Sequence, residues 1–171
     1  MPTHTAADAE CLVFTFKEGL LSKVAHDLKI RVTSFQLSVD EGAVKGSFDP
    51  TSLQVVCARR DGQDDHNALS DGDKAKIEQN IRKDVLEAKR HGAITFASTE
   101  VSRDGDHATV RGDLTLHGVT RAISARVTRE GDWWTTEVRL HQPDFGIKPF
   151  TAMLGTLKVQ PDVRVQLRVP V

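Results

Sequence analysis

Apolar and polar residues alternate along most of this chain, and the alternation is clearest between Thr109 and Thr128. Val110, Leu114 and Leu116 share one parity with Gly112, while Thr109, Arg111, Asp113 and Thr115 share the other. A period of two is the mark of a strand with one buried and one wet face. The pattern resumes with Ile123, Ala125 and Val127 on one side and Ser124, Arg126 and Thr128 on the other. The break at His117-Gly118-Val119-Thr120 offers a glycine where a tight connection needs positive φ, so the two runs predict an antiparallel hairpin.

The rest of the chain extends that sheet. Residues 1–9 are polar and aperiodic and are expected to be a flexible terminus, leaving 10–171 as a single domain. Residues 11–17 predict a strand with Leu12, Phe14 and Phe16 inward. Residues 18–25 read equally as a short helix or an irregular link. Residues 26–39 predict one long strand with a fault: Leu28, Ile30 and Val32 are even, whereas Phe35, Leu37 and Val39 are odd. Such a parity change predicts a β-bulge or sharp bend at Thr33-Ser34. Asp40-Glu41-Gly42 is a turn, Val44, Gly46 and Phe48 face inward on the next strand, and Leu53, Val55 and Cys57 begin another.

A polar tract over residues 59–73 leads into the one helical pattern. Ser70 and Asp73 have the spacing of a capping box, Ile77, Ile81, Val85 and Ala88 form a single stripe, and Gly92 is expected to end the helix. Strands follow over 93–101, 107–116, 121–129 and 133–140, then a folded loop over 141–155 and a last strand over 163–171. This predicts an all-β protein with one helix, an antiparallel up-and-down arrangement of about eight strands. A sheet with one apolar face must pack on another sheet or curl shut, and about eight strands can close around side chains or one small ligand. Periodicity alone leaves both outcomes open.

Three motifs carry a family resemblance. Asp113-Leu114-Thr115-Leu116-His117-Gly118-Val119-Thr120-Arg121 resembles the Leu-Thr-x-x-Gly-Val-Thr hairpin of the YceI-like family. Ile94-Thr95-Phe96-Ala97-Ser98-Thr99-Glu100-Val101 resembles its Ile-x-Phe-x-Ser-Thr-x-Val strand, and Asp144-Phe145-Gly146-Ile147 its Asp-Phe-Gly turn. The chain departs from the family at residues 64–69, a faint echo of an Asp-x-His-Leu segment, and at His91-Gly92, where relatives carry an aromatic-proline pair. The resemblance implies a lipocalin-like barrel holding an isoprenoid or similar lipid, with the helix over one opening, and it is the only ground for expecting a homodimer. On this reading the ligand-lining residues are Phe14, Phe16, Ile30, Val32, Ile81, Phe96, Gly112, Leu114, Leu116, Trp134, Val138 and Phe145. Gly46, Gly112, Ala125 and Thr136 have inward parity and are small enough to leave room.

Composition narrows the alternatives. With 27% charged residues and a net charge of −1, the 171-residue chain offers no field that would draw nucleic acid or an anionic membrane. No apolar run is long enough for a transmembrane helix, and Met1 to Glu10 lacks the regions of a secretory signal. A cytoplasmic location is therefore expected, or a periplasmic one if a leader is removed. Cys11 and Cys57 read as separate packed thiols. The histidines His4, His26, His66, His91, His107, His117 and His141 show no His-x-x-x-His spacing, and the acidic run from Asp61 fails as a calcium loop at His66 and Gly72. No metal site and no cofactor beyond a bound lipid is expected. Nucleophile-elbow, P-loop and dinucleotide motifs are absent, so no catalytic residue is assigned. Two other readings stay open: a filled barrel serving as a structural or interaction module, and a small enzyme in which His26-Asp27 and His117 meet across the barrel.

Overall fold

The computed structural model describes residues 2–18, 26–152 and 157–171. Among these the chain runs through β1 (Thr3–Thr5), β2 (Glu10–Thr15), β3 (Asp27–Val32), β4 (Phe35–Val39), β5 (Val44–Phe48), β6 (Leu53–Arg60) and β7 (Gln63–Asp65). Helix α1 (Asp71–Asn80) continues into a π-helical turn (Ile81–Val85). Then come β8 (Ile94–Asp104), β9 (His107–Leu116), β10 (Val119–Glu130), β11 (Trp133–His141), a 3-10 turn (Gln142–Phe145), β12 (Thr151–Ala152), β13 (Leu157–Lys158) and β14 (Asp162–Pro170).

All but β12 and β13 join one antiparallel sheet in the order β1-β4-β5-β8-β9-β10-β11-β14-β2-β3-β6-β7. The hairpin read from residues 109–128 is present, with Ile123 opposite Gly112 and Ala125 opposite Val110. His117 and Gly118 both hold positive φ (55° and 74°), the geometry of a two-residue primed turn that suits the twist of the strands. The sheet is wider than about eight strands because short β1 and β7 add edges and because residues 26–39 form two strands. The up-and-down order is also broken, since β1 to β2, β3 to β4, β5 to β6 and β7 to β8 each cross the sheet instead of stepping to a neighbouring strand.

Those crossings carry the chain between the two halves of a curled sheet. At Thr33-Ser34 the chain leaves β2 and β6, the partners of β3, for β1 and β5, the partners of β4. The parity change is a corner between sheet ends, and the ladder's register shifts lie instead at Lys29/Ile30 and Ser98/Glu100. Ser52, at the end of the β5–β6 crossing, staples the corner. The Thr33 N–H and hydroxyl donate to its carbonyl (3.0 and 2.8 Å), and the Ser34 N–H donates to its Oγ (3.1 Å). Residues 2–9, expected to be loose, are tied down: β1 pairs with β4, and Ala9 packs into the core.

Helix α1 starts at the expected box. The Ser70 hydroxyl accepts from Asp73 N–H and the Asp73 carboxylate from Ser70 N–H, both at 3.0 Å. It ends earlier than Gly92: after the π turn the chain reverses at Glu87, whose φ is 46°. The alternative reading of residues 18–25 lies mostly outside the described residues, as do residues 153–156 of the folded loop.

Candidate functional site

The curled sheet encloses a cavity of about 960 Å³. Its wall is built from the alternating faces of the strands: Ile30 and Val32 from β3, Leu37 from β4, Phe96 from β8, Leu114 from β9 and Val138 from β11 are examples. One end lies under the lid, where Ile77, Ile81, Val85 and Leu86 face in, with His26, Asp73, Lys76 and Asn80 among the lid-end polar groups. The other end is rimmed by the β4–β5, β8–β9 and β10–β11 turns. Here His4, Asp40, Glu41 and Arg103 line the cavity, and the Arg103 guanidinium lies 5.0 Å from the Trp134 ring centroid. The space is thus a long apolar tube with polar groups near both ends.

Of the residues expected to line it, Ile30, Val32, Ile81, Phe96, Leu114, Leu116, Trp134 and Val138 do so. Phe14 and Phe16 do not. β2 has the opposite parity, with Cys11, Val13 and Thr15 inward, while Phe14 and Phe16 lie beneath the guanidinium groups of Arg59 (4.9 Å) and Arg164 (5.3 Å) on the outer face. Residues 11–14 are all apolar, so alternation could not choose a face; the arginines cover the outer rings by stacking on them. Phe145 is buried beside Leu114 and Ile147 in a second core cluster and is absent from the cavity wall.

Gly112 has inward parity but supplies no free space. A Cβ there would stand 2.6 Å from the Phe96 ring and 2.7 Å from Ser98 Cα, and would also strike the Ala97 carbonyl. The glycine admits the neighbouring backbone at the β8 register shift. Gly46 is similar, since Phe48 and Leu37 occupy the place of its side chain (2.9 and 3.1 Å). Ala125 and Thr136 do face the cavity. Val13, Leu86 and Gln142 also line the wall, beyond the residues expected there. Val85 faces in as its helical stripe predicts, whereas Leu86 depends on the π turn, which advances the backbone out of the regular register.

Cys11 is a buried thiol on the wall, and burial pushes its pKa up to about 12. Cys57 lies on the other side of β6, beyond the bulge, fully covered near Asp64.

The hydrogen-bond partners of His117 are Glu87 and Phe145 and not His26 or Asp27. His26 faces the lid end, while the Asp27 carboxylate accepts from Lys17 N–H (2.8 Å). His4 and His141 sit against the carboxylates of Asp8 (2.7 Å) and Asp162 (2.6 Å) instead of backbone groups. His117 lies at the rim of the lid, its Nε2 2.7 Å from Glu87 Oε2 and its Nδ1 3.2 Å from the Phe145 carbonyl. That contact with His117 holds the Glu87 carboxyl below the usual carboxylate range.

A curled antiparallel sheet with a helical lid and an apolar interior is the lipocalin-like arrangement that the three motifs implied. The family model described as YceI-like domain matches residues 3–171. The chain belongs to the YceI-like family. Protein YceI of Escherichia coli O157:H7 is 34% identical over 89 residues, a match covering 46% of this chain and 47% of that protein. A UPF0312 protein of Pseudomonas aeruginosa (strain LESB58) is 36% identical over 89 residues, with the same shares covered. The chain thus spans about half the length of the curated relatives it matches. Among solved structures, Burkholderia cenocepacia BcnA superposes with a TM-score of 0.65 at 19% identity, covering 95% of this chain and 96% of that one. The Campylobacter jejuni YCEI protein gives 0.62 at 14% identity, covering 91% and 90%. These structural likenesses show that this YceI-like chain shares their fold. No helix among its described residues is long and apolar enough to cross a membrane.

Proposed function

We propose that this YceI-like chain binds and carries a long-tailed apolar or amphiphilic small molecule, isoprenoid or fatty-acid-like, inside the barrel. The observation that carries the reading is the cavity of about 960 Å³ with its almost wholly apolar middle. That volume lies at the upper end of ordinary small-molecule sites, about 300–1,000 Å³. Water in such a space finds few hydrogen-bond partners along Ile30, Val32, Phe96, Leu114 and Val138, so a hydrocarbon tail displaces it favourably. Burial of apolar surface contributes roughly 25 cal/mol per Å² before the cost of ordering the tail. Polar groups near both ends, Arg103 at one and Lys76 at the other, offer places for a headgroup. The proposed action is sequestration or carriage without covalent chemistry.

Native mass spectrometry on protein purified without detergent tests this, followed by solvent extraction. One apolar molecule per chain is the expected result. Finding none, together with no uptake of a fluorescent fatty acid or a labelled isoprenol, overturns the proposal in favour of an interaction module.

A further inference from the structure

The lid meets the barrel rim at a cluster outside the cavity wall. Glu87 follows the π turn with φ 46°, and His117 holds φ 55° in the β9–β10 turn. Both are left-handed conformations that L residues adopt uncommonly. His91, four residues after Glu87, stacks against His117 with ring centroids 4.2 Å apart. One ligand atom from each of Glu87, His91 and His117 lies within 4.8 Å of the others. His91 Nε2 is 3.7 Å from the same Glu87 oxygen that His117 approaches at 2.7 Å.

The orientation of the His117 ring is the telling point. Its Nδ1 faces the Phe145 carbonyl, which can only accept, so Nδ1 carries the proton. In a neutral ring Nε2 is then a lone pair, and it points at another acceptor, the Glu87 carboxylate. An imidazole whose Nδ1–H is anchored on a carbonyl, with Nε2 turned to a carboxylate and a second imidazole, is the donor set that transition metals use. Donors bound at about 2.0 Å with tetrahedral angles stand roughly 3.3 Å apart, so Glu87 and His117 need separate by only about half an ångström. His117 and His91 are largely covered, with side chains 11% and 21% exposed, while Glu87 at 37% leaves a way in. Arg90, which touches Glu87 at 3.8 Å, is 76% exposed and free to swing into solvent.

We propose that Glu87, His91 and His117 form a site for a divalent transition-metal ion of the zinc type, which clasps the lid to the β9–β10 rim. Val85 and Leu86, immediately before Glu87, line the cavity, so a bound ion holds that part of its wall in place. The other cluster of potential ligands, Cys57, Asp64 and His66, is a built-in control. There Asp64 is already engaged by Lys29 (3.0 Å) and Arg59 (3.2 Å), two cations that oppose a third.

The test uses the whole chain, stripped with a chelator and titrated with zinc against a chromophoric competitor. One zinc per chain is expected, with affinity reduced at least tenfold by Glu87→Gln and by His91→Gln and unchanged by His66→Ala. Zinc should raise the melting temperature of the wild type and leave that of His91→Gln unmoved. Cobalt substitution should give visible bands that His91→Gln abolishes, and this decides the matter if Glu87→Gln fails to fold. Wild-type affinity no greater than that of His91→Gln, or loss in His66→Ala alone, overturns the proposal. None of these readouts depends on what occupies the cavity.

Discussion

The Ser34 N–H donates to Ser52 Oγ at 3.1 Å, and the Ser52 hydroxyl in turn donates to the Asp49 carbonyl at 2.8 Å. Ser34 lies on the β3–β4 crossing and Ser52 on the β5–β6 crossing, so one buried hydroxyl joins the two passages. Ser52→Ala would leave the Ser34 N–H without its partner, which costs about 1–3 kcal/mol when the group stays buried. Ser47→Ala, on the exposed face of β5, should fall within about 0.5 kcal/mol of the wild type. Urea denaturation of the two variants separates them, and equal midpoints would show that the junction does not depend on this bond.

Gly112 and Ala125 give opposite outcomes although both have inward parity. Gly112→Ala drives a methyl into the Phe96 ring and the β8 backbone, so a loss of about 1–3 kcal/mol is expected. Ala125→Leu projects into cavity space and should leave stability little changed while lowering bound lipid. Denaturation midpoint and extracted lipid, measured on both variants, check the pair. A Gly112→Ala protein as stable as the wild type would mean that β8 and β9 do not approach as closely as they do here.

Cys11 should resist modification. Its pKa of about 12, raised by burial from 9.0, keeps the thiol protonated at neutral pH, and its place on the cavity wall removes it from solvent. An aromatic disulfide reagent should therefore label it only on unfolding. The same shift predicts alkaline sensitivity. The unfolded chain releases this proton near 9.0 and the folded chain near 12, so stability is complete below 9.0 and declines as pH rises between the two. Cys11→Ala should flatten that decline in a pH series of melting temperatures.

The lid should loosen in acid. The Asp73 carboxyl is held below its ordinary 3.8 first by the Ser70 N–H and then by the Ser70 side chain. A depressed acid contributes its stability above the unfolded value and loses it as pH falls through the folded one. Ser70→Ala removes half of the box and should weaken the helix by about 0.5–2 kcal/mol. Hydrogen exchange at neutral pH should then speed up in residues 71–80 while β9 and β10 stay protected, and the acid transition followed by circular dichroism should move to higher pH.

Several features were settled by local chemistry and are legible in the sequence. The β9–β10 hairpin needed only alternation on either side of His117-Gly118, the start of α1 only Ser70 and Asp73, and the family only three motifs over residues 94–147. Each depends on residues close in the chain, whose periods and caps do not change with what lies across the fold. The tertiary structure alone decided the face of β2. With residues 11–14 apolar throughout, Phe14 and Phe16 point outward because Arg59 and Arg164 come from other strands to cover them. It also decided that Gly112 is a contact and not a vacancy, because that depends on a register shift in β8 that no pattern in β9 reports. Glu87 and His91 have a readable spacing of four, yet their meeting with His117 arises from a reversal after a π turn and a hairpin 30 residues further on. Periodicity says which side of a strand is dry. Whether that side is packed solid or faces a cavity depends on how far the sheet curls, and a curled sheet is held by contacts such as that of Ser34 and Ser52, residues distant in the chain that share one hydroxyl.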